Sequence, residues 1–253
     1  GWSGMSEEVR AAHRADLHQA LAYASLADVP RVDSVLLHDE LEAYNDPVYF
    51  WQFAQHVEAH DLQYLIESDF PMAMPGNLSE DVAEAIQQFA DDVVEVEQYM
   101  DFIRNRTFRR TLLCHREVEI DRVLRASRVK QLAFSTKARP VAPEEESDRP
   151  HVRSFRSPDG AVFRTDHPLS VAAFRYLADV APVVVSFDRL AEAAAAGLGV
   201  ASPSEPDLNV LAANLLKAMT YSLSLVEMHA YVPPIAQRVG ERPKASTVAR
   251  YQA

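Results

Sequence analysis

EQYMDFIRNRTFRRTLLC, residues 97–114, sets four arginines and the sole cysteine of the chain behind a helical pattern. Met100 and Ile103 close a series that begins with Val82 and continues through Ile86, Phe89, Val93 and Val96. Those apolar residues recur three or four apart, which predicts one long helix starting at a Ser79 cap. Asp81, Asp91 and Asp92 fall on its outer face, and the acidic first turn suits the helix dipole. Arg104 and Asn105 end the helix, where cationic side chains bond the last carbonyls. Phe108 and Leu112 follow with a further spacing of four.

The arginines have three readings: fold support, a docking surface and a nucleic-acid patch. Nucleic acid needs a basic, exposed face. Glu95, Glu97 and Asp101 stand against such a face, and the structural reading is preferred. Cys114 follows Leu112 and Leu113, the setting of a small buried hydrophobe. His115 beside it does not make a nucleophile, because sequence adjacency gives neither a depressed pKa nor a base held in space.

Charge over the whole chain is −12, unevenly placed. Residues 1–100 carry −17, residues 101–139 carry +7 and residues 140–253 carry −2. An acidic block followed by a basic one points to attraction within one fold. The 253 residues hold 48% apolar side chains, enough for a core. No apolar run approaches the ~18 residues of a membrane span, and the N-terminus lacks a signal-peptide pattern. The lack of such a run means no membrane partner is expected. One cysteine excludes an internal disulfide, so a cytoplasmic setting is expected.

Two halves meet near KARPVAPEEESDRPHVR (137–153). In the first, Asn45, Asp46 and Pro47 signal a helix start, with Val48, Trp51, Phe53, Ala54 and Val57 facing inward. LQYLIE (62–67) reads as a strand, FPMAMPGNLS (70–79) as a turn-rich loop, and 132–137 as a strand. In the second half, Ser157, Pro158, Asp159 and Gly160 form the turn of a hairpin. A helix from Pro168, a short strand at 183–186, a helix capped by Ser186, a third helix from Leu208 and a strand at 225–231 follow. That order is winged-helix-like. The fold class is α+β, predominantly helical, with domains at 1–139 and 140–253.

His56 and His60 lie one helical turn apart, a spacing able to hold zinc, which makes a histidine-based metalloenzyme one alternative. Glu58 does not directly follow the first histidine, as the metalloprotease pattern requires, and no third ligand is evident beyond His38, Asp39 and Glu40. A stand-alone winged-helix binder of nucleic acid or protein is the other alternative. Its third helix carries one lysine and no arginine, too little charge for phosphate contact, so no nucleic-acid partner is expected. The seven glycines are scattered, and none forms a nucleotide-binding turn, so no cofactor is expected in this chain.

LLHDELEAYNDPVYFWQFAQHVEAHDLQYLIESDF (36–70), with residues 97–114, resembles the methyltransferase regulatory domain. The resemblance covers about Leu36 to Arg122, and the remainder is similar to the winged-helix-like portion of the same proteins. In those proteins the domain follows a class I S-adenosylmethionine-dependent domain related to protein lysine methyltransferases. The resemblance implies a non-catalytic regulatory or substrate-presenting module, without catalytic residues of its own. S-adenosylmethionine would bind a catalytic domain, a partner in cis or in trans. A protein substrate and a homodimer are further expected partners. The motif is carried by Tyr44, Asn45, Pro47, Tyr49 and Phe50, and by Arg104, Asn105, Arg106, Phe108, Arg109 and Thr111. These residues are assigned a structural or docking role.

Overall fold

The computed structural model describes residues 46–142, 151–233, 245 and 247–252. Its architecture is α+β, with helices and three small antiparallel sheets among the described residues. The chain divides into two compact units, Gly1–His56 and Val57–Ala253. Helix α1, Phe50–Glu58, runs across that division. Within the first unit, the Tyr49 N–H donates to Gln52 Oε1 at 2.9 Å, and Phe50 stacks on Phe53. Phe50, Ala54 and Val57 are buried, while Val48 and Trp51 are exposed. The inward stripe therefore starts at Phe50, not at Val48 and Trp51. The helix begins only at Phe50, which leaves Val48 outside it, and the i, i+4, i+7 phase from Phe50 excludes Trp51.

The second unit opens with strand β1 (Leu62–Glu67), two 3₁₀ turns (Phe70–Ala73 and Pro75–Asn77) and helix α2 (Glu80–Phe89). Helix α3 (Val93–Arg104) follows separately. The single long helix expected from apolar spacing is thus two helices. Asp92 makes the break: its carboxylate accepts from the Val94 and Glu95 N–H groups at 2.8 and 3.0 Å. The Glu95 side chain reaches back to the Asp91 N–H at 2.8 Å. This is N-cap chemistry, so Asp92 starts a helix and does not decorate an outer face. Phe89, expected inside, is 70% exposed at the end of α2, and Ile103 is also exposed. Ser79 occupies the N-cap position of α2 without a side-chain cap bond.

Asn105 closes α3 in the left-handed region, at φ 47° and ψ 48°, a conformation asparagine tolerates better than most residues. The chain then turns back, and Thr111–His115 forms strand β2, antiparallel to β1. The spacing of Phe108 and Leu112 therefore does not mark a helix.

Short helix α4 (Ala126–Val129) leads to strands β3 (Ala133–Ser135) and β4 (Arg139–Pro140). The hairpin of β5 (Arg153–Arg156) and β6 (Val162–Thr165) turns at Gly160, whose φ of +88° is open to glycine. Helix α5 (Pro168–Val180), strand β7 (Val185–Ser186), helix α6 (Phe187–Gly197), helix α7 (Glu205–Tyr221) and strand β8 (Glu227–His229) complete the order read from the sequence. A final helix, α8, spans Thr247–Gln252. Strand β3 sits between β7 and β8, while β4 pairs with β5. Residues 133–140 are therefore built into the sheets of the second half.

The main core gathers α5, α6 and α7 over these strands. Phe155 and Phe163 both pack on Phe174, with ring centroids 5.1 and 4.9 Å apart. Leu177, Leu190, Leu211, Leu215 and Leu225 are fully buried beside them. Full burial of one such side chain contributes about 1.5–3 kcal/mol.

Candidate functional site

The arginine-rich segment folds back along α3 and under the end of β1. The Arg106 N–H bonds the Asp101 carbonyl at 2.9 Å, which fixes the return. Arg106 Nη1 then lies 3.3 Å from Asp101, 3.4 Å from Glu97 and 3.9 Å from Glu67. Arg109 meets the same three acids: Nη1 reaches Asp101 at 2.9 Å, Nε lies 3.5 Å from Glu67, and Nη2 pairs closely with Glu97. All five side chains are at most 14% exposed.

Backbone groups join the cluster as well. Glu67 Oε1 accepts from the Ser68 and Arg110 N–H groups at 3.1 and 2.9 Å. Arg106 Nη2 donates to the Met72 carbonyl at 2.7 Å. Arg104 donates to the Met72 and Met74 carbonyls. The arginines thereby tie β1, the 3₁₀ turns and α3 together.

Burial raises the Asp101 carboxyl above its ordinary value, and Arg109 and Arg106 pull it back down. Tyr64 stands beside the cluster, with Arg109 6.0 Å and Arg122 5.5 Å from its ring centroid. Burial, reinforced by the Glu97 carboxylate, pushes the Tyr64 phenol upward, so it stays protonated at neutral pH. Such a buried array is costly to desolvate and holds only when its geometry and hydrogen bonds are complete.

A pocket of about 500 Å³ opens against this cluster, with Tyr64 and Glu97 at its polar side. Its other walls come from β1, the 3₁₀ turns, α3 and the segment around Ile120 to Leu124. A second pocket of similar size lies between α5 and α6, rimmed by His151, Arg153, Asp166, Arg175 and Asp179.

The other motif residues are dispersed. Tyr44 and Asn45 lie outside the described residues. Pro47, Tyr49 and Phe108 are exposed, Phe50 is buried, and Thr111 pairs with Glu67 in the β1–β2 register. Cys114 is a half-buried free thiol on β2, opposite Gln63.

His56 and His60 are exposed. Among the described residues, no group of three or more histidine, cysteine or acidic side chains is placed to hold a metal ion. His38, Asp39 and Glu40 lie outside them. Ser170, His167 and Asp207 stand in hydrogen-bonded order, at 2.9 Å (Ser170 Oγ to His167 Nδ1) and 3.2 Å (His167 Nε2 to Asp207 Oδ1). Ser170 is fully buried, and His167 and Ser204 cap α5 and α7, so this set joins two helix starts and presents no nucleophile.

Sequence reading missed Glu67 altogether. It ends LQYLIE as one more polar residue on a half-buried strand, and nothing local marks it as the partner of arginines about forty residues later. The concentration of acid before residue 101 and base after it was the available signal.

Residues 32–115, which hold the whole arginine–carboxylate cluster, match the family described as a predicted methyltransferase regulatory domain. Over 118 residues, 47% of this chain, the sequence is 37% identical to an uncharacterized protein, RP789, of Rickettsia prowazekii (strain Madrid E), and the match covers 21% of that protein. The chain is similar in structure to PKMT2 from Rickettsia typhi, with TM-score 0.72 and 28% identity over 93% of this chain and 45% of that one. PKMT2 solved in complex with AdoHcy gives TM-score 0.70 and 28% identity over 91% of this chain and 45% of that one. The chain thus spans less than half the length of the solved relatives. The resemblance of residues 32–115 to methyltransferase regulatory domains is thereby shown.

Proposed function

We propose that this chain is the non-catalytic regulatory and substrate-presenting part of an S-adenosylmethionine-dependent protein methyltransferase. The carrying observation is the pairing of two matches. Residues 32–115 match a methyltransferase regulatory domain, and nearly the whole chain superposes on less than half of PKMT2. On this reading the remainder of such a protein supplies the S-adenosylmethionine site, joined to this chain or acting on it as a separate partner. Scattered glycines support the assignment of the cofactor to that other part, since none makes the tight turn that a nucleotide-like ligand rests on.

A regulatory portion and a winged-helix-like portion divide the chain within the proposal, with β3 and β4 serving the second. The α7 helix carries a single lysine, Lys217, so the second portion packs against protein and does not read nucleic acid. Among the described residues no helix is long and apolar enough to cross a membrane. A cytoplasmic setting and a protein substrate belong to the same proposal. The −17 charge of residues 1–100 would draw basic, lysine-bearing substrates.

Calorimetric titration of the chain with S-adenosylmethionine tests the division of labour. No heat of binding is expected up to millimolar ligand. Saturable binding would make the chain itself a cofactor carrier and overturn the proposal.

A further inference from the structure

Residues 70–78 carry the two 3₁₀ turns, and parts of the chain far apart in sequence bond them from both sides. On one side stand the arginines of the α3 return. Arg106 Nη2 donates to the Met72 carbonyl at 2.7 Å, and Arg104 donates to the Met72 and Met74 carbonyls. Arg106 also meets Glu97 and Asp101, so the buried cluster and the turns share one guanidinium.

On the other side stands the core of the second half. Phe70 packs against that core. Asn77 Nδ2 donates to the Thr220 carbonyl at 2.6 Å and to the Pro71 carbonyl at 3.0 Å. Thr220 lies in the last turn of α7, where the final carbonyls lack partners within the helix. Asn77 therefore caps α7 from 143 residues away and closes the turns on themselves with the same amide. All of these groups lie within the one compact unit Val57–Ala253.

The segment between the two sides is stiff. Pro71 and Pro75 each stand in the first turn of a 3₁₀ helix and fix a backbone angle at about −65°. The Met72, Met74, Asn77 and Leu78 N–H groups are each bonded to a carbonyl three residues back. A displacement at Met72 is thus passed along the segment and not absorbed within it.

We infer that residues 70–78 are a coupling element, through which a change in the arginine–carboxylate cluster is transmitted to the C-terminal end of α7. The inference does not depend on which reaction the wider protein takes part in.

Amide hydrogen exchange on the full chain tests it. Arg109→Lys keeps the charge in the cluster and removes the planar fork that meets Glu97 and Asp101. Exchange at Tyr221 and Ser222 is expected to rise about five-fold relative to Leu190, which reports opening of the core as a whole. Phe70→Leu with Asn77→Ala cuts the connection. In that background Arg109→Lys should add less than about two-fold at the same amides. Glu97→Gln serves as the second perturbation of the cluster, should Arg109→Lys fail to fold. Two outcomes would overturn the inference: no change at the end of α7 when a folded variant alters the cluster, or an equal change with and without the Phe70 and Asn77 contacts.

Discussion

Arg109 and Phe108 are neighbours in one motif and have opposite surroundings. Arg109 is buried among Glu67, Glu97 and Asp101, while Phe108 is 72% exposed. Removing one member of a buried ion array leaves uncompensated charge, which costs about 3–5 kcal/mol. Arg109→Ala is therefore expected to lower stability by about that amount in denaturant titration. Phe108→Ala should stay within about 0.5 kcal/mol of the parent, since nothing buried is disturbed. If Arg109→Ala melts like the parent, the arginines serve docking and not the fold.

Asp159 gives a separate, pH-dependent test. Hydroxyls of Ser157 and Ser222 hydrogen-bond its carboxylate and hold it below the usual range. Its folded value is depressed, so its contribution is present above the unfolded value of about 3.9 and is lost as pH falls through the folded one. Asp159→Asn should lose less melting temperature than the parent between about pH 5 and pH 2. Asp101 acts in the opposite sense. Its raised value means the folded state binds the proton more tightly, so its contribution declines as pH rises above about 4.

At the scale of elements, the break between α2 and α3 is instructive. Apolar spacing of three and four runs unbroken from Val82 to Ile103, yet one helix stops at Phe89 and another starts at Val93. Ala90 offers no glycine or proline punctuation, and a pair of aspartates fits an outer face as well as a cap. Phase alone was blind to the choice. What settles it is local bonding: the Asp92 carboxylate satisfies two N–H groups that a continuous helix would have satisfied itself. Asp92→Ala should cost roughly 1 kcal/mol, and Asp92→Asn should recover most of it, read by thermal melting. Strand β2 was hidden for a related reason. Phe108 and Leu112 mimic a helical step, whereas Asn105 has already turned the chain so that Thr111–His115 can pair with β1. The hairpin at Ser157–Gly160 and helices α5 to α7 were legible because turn chemistry and periodicity agree there.

Across the whole molecule, the sequence charge map had a local meaning. The acidic and basic blocks on either side of residue 101 meet in the buried cluster of Glu67, Glu97, Asp101, Arg106 and Arg109. The pocket beside that cluster was not legible, because its walls come from four segments spread between Tyr64 and Leu124. The likeness to methyltransferase regulatory domains was legible through the motif, which lies in the matched region. The most direct test of the central claim is reconstitution. The S-adenosylmethionine-dependent part of a longer relative is assayed for methyl transfer to a protein substrate, with and without this chain. We predict no transfer by the chain alone and a change in kcat/KM for the protein substrate when it is added. Methyl transfer by the chain alone, or an unchanged kcat/KM at saturating chain, would contradict the account.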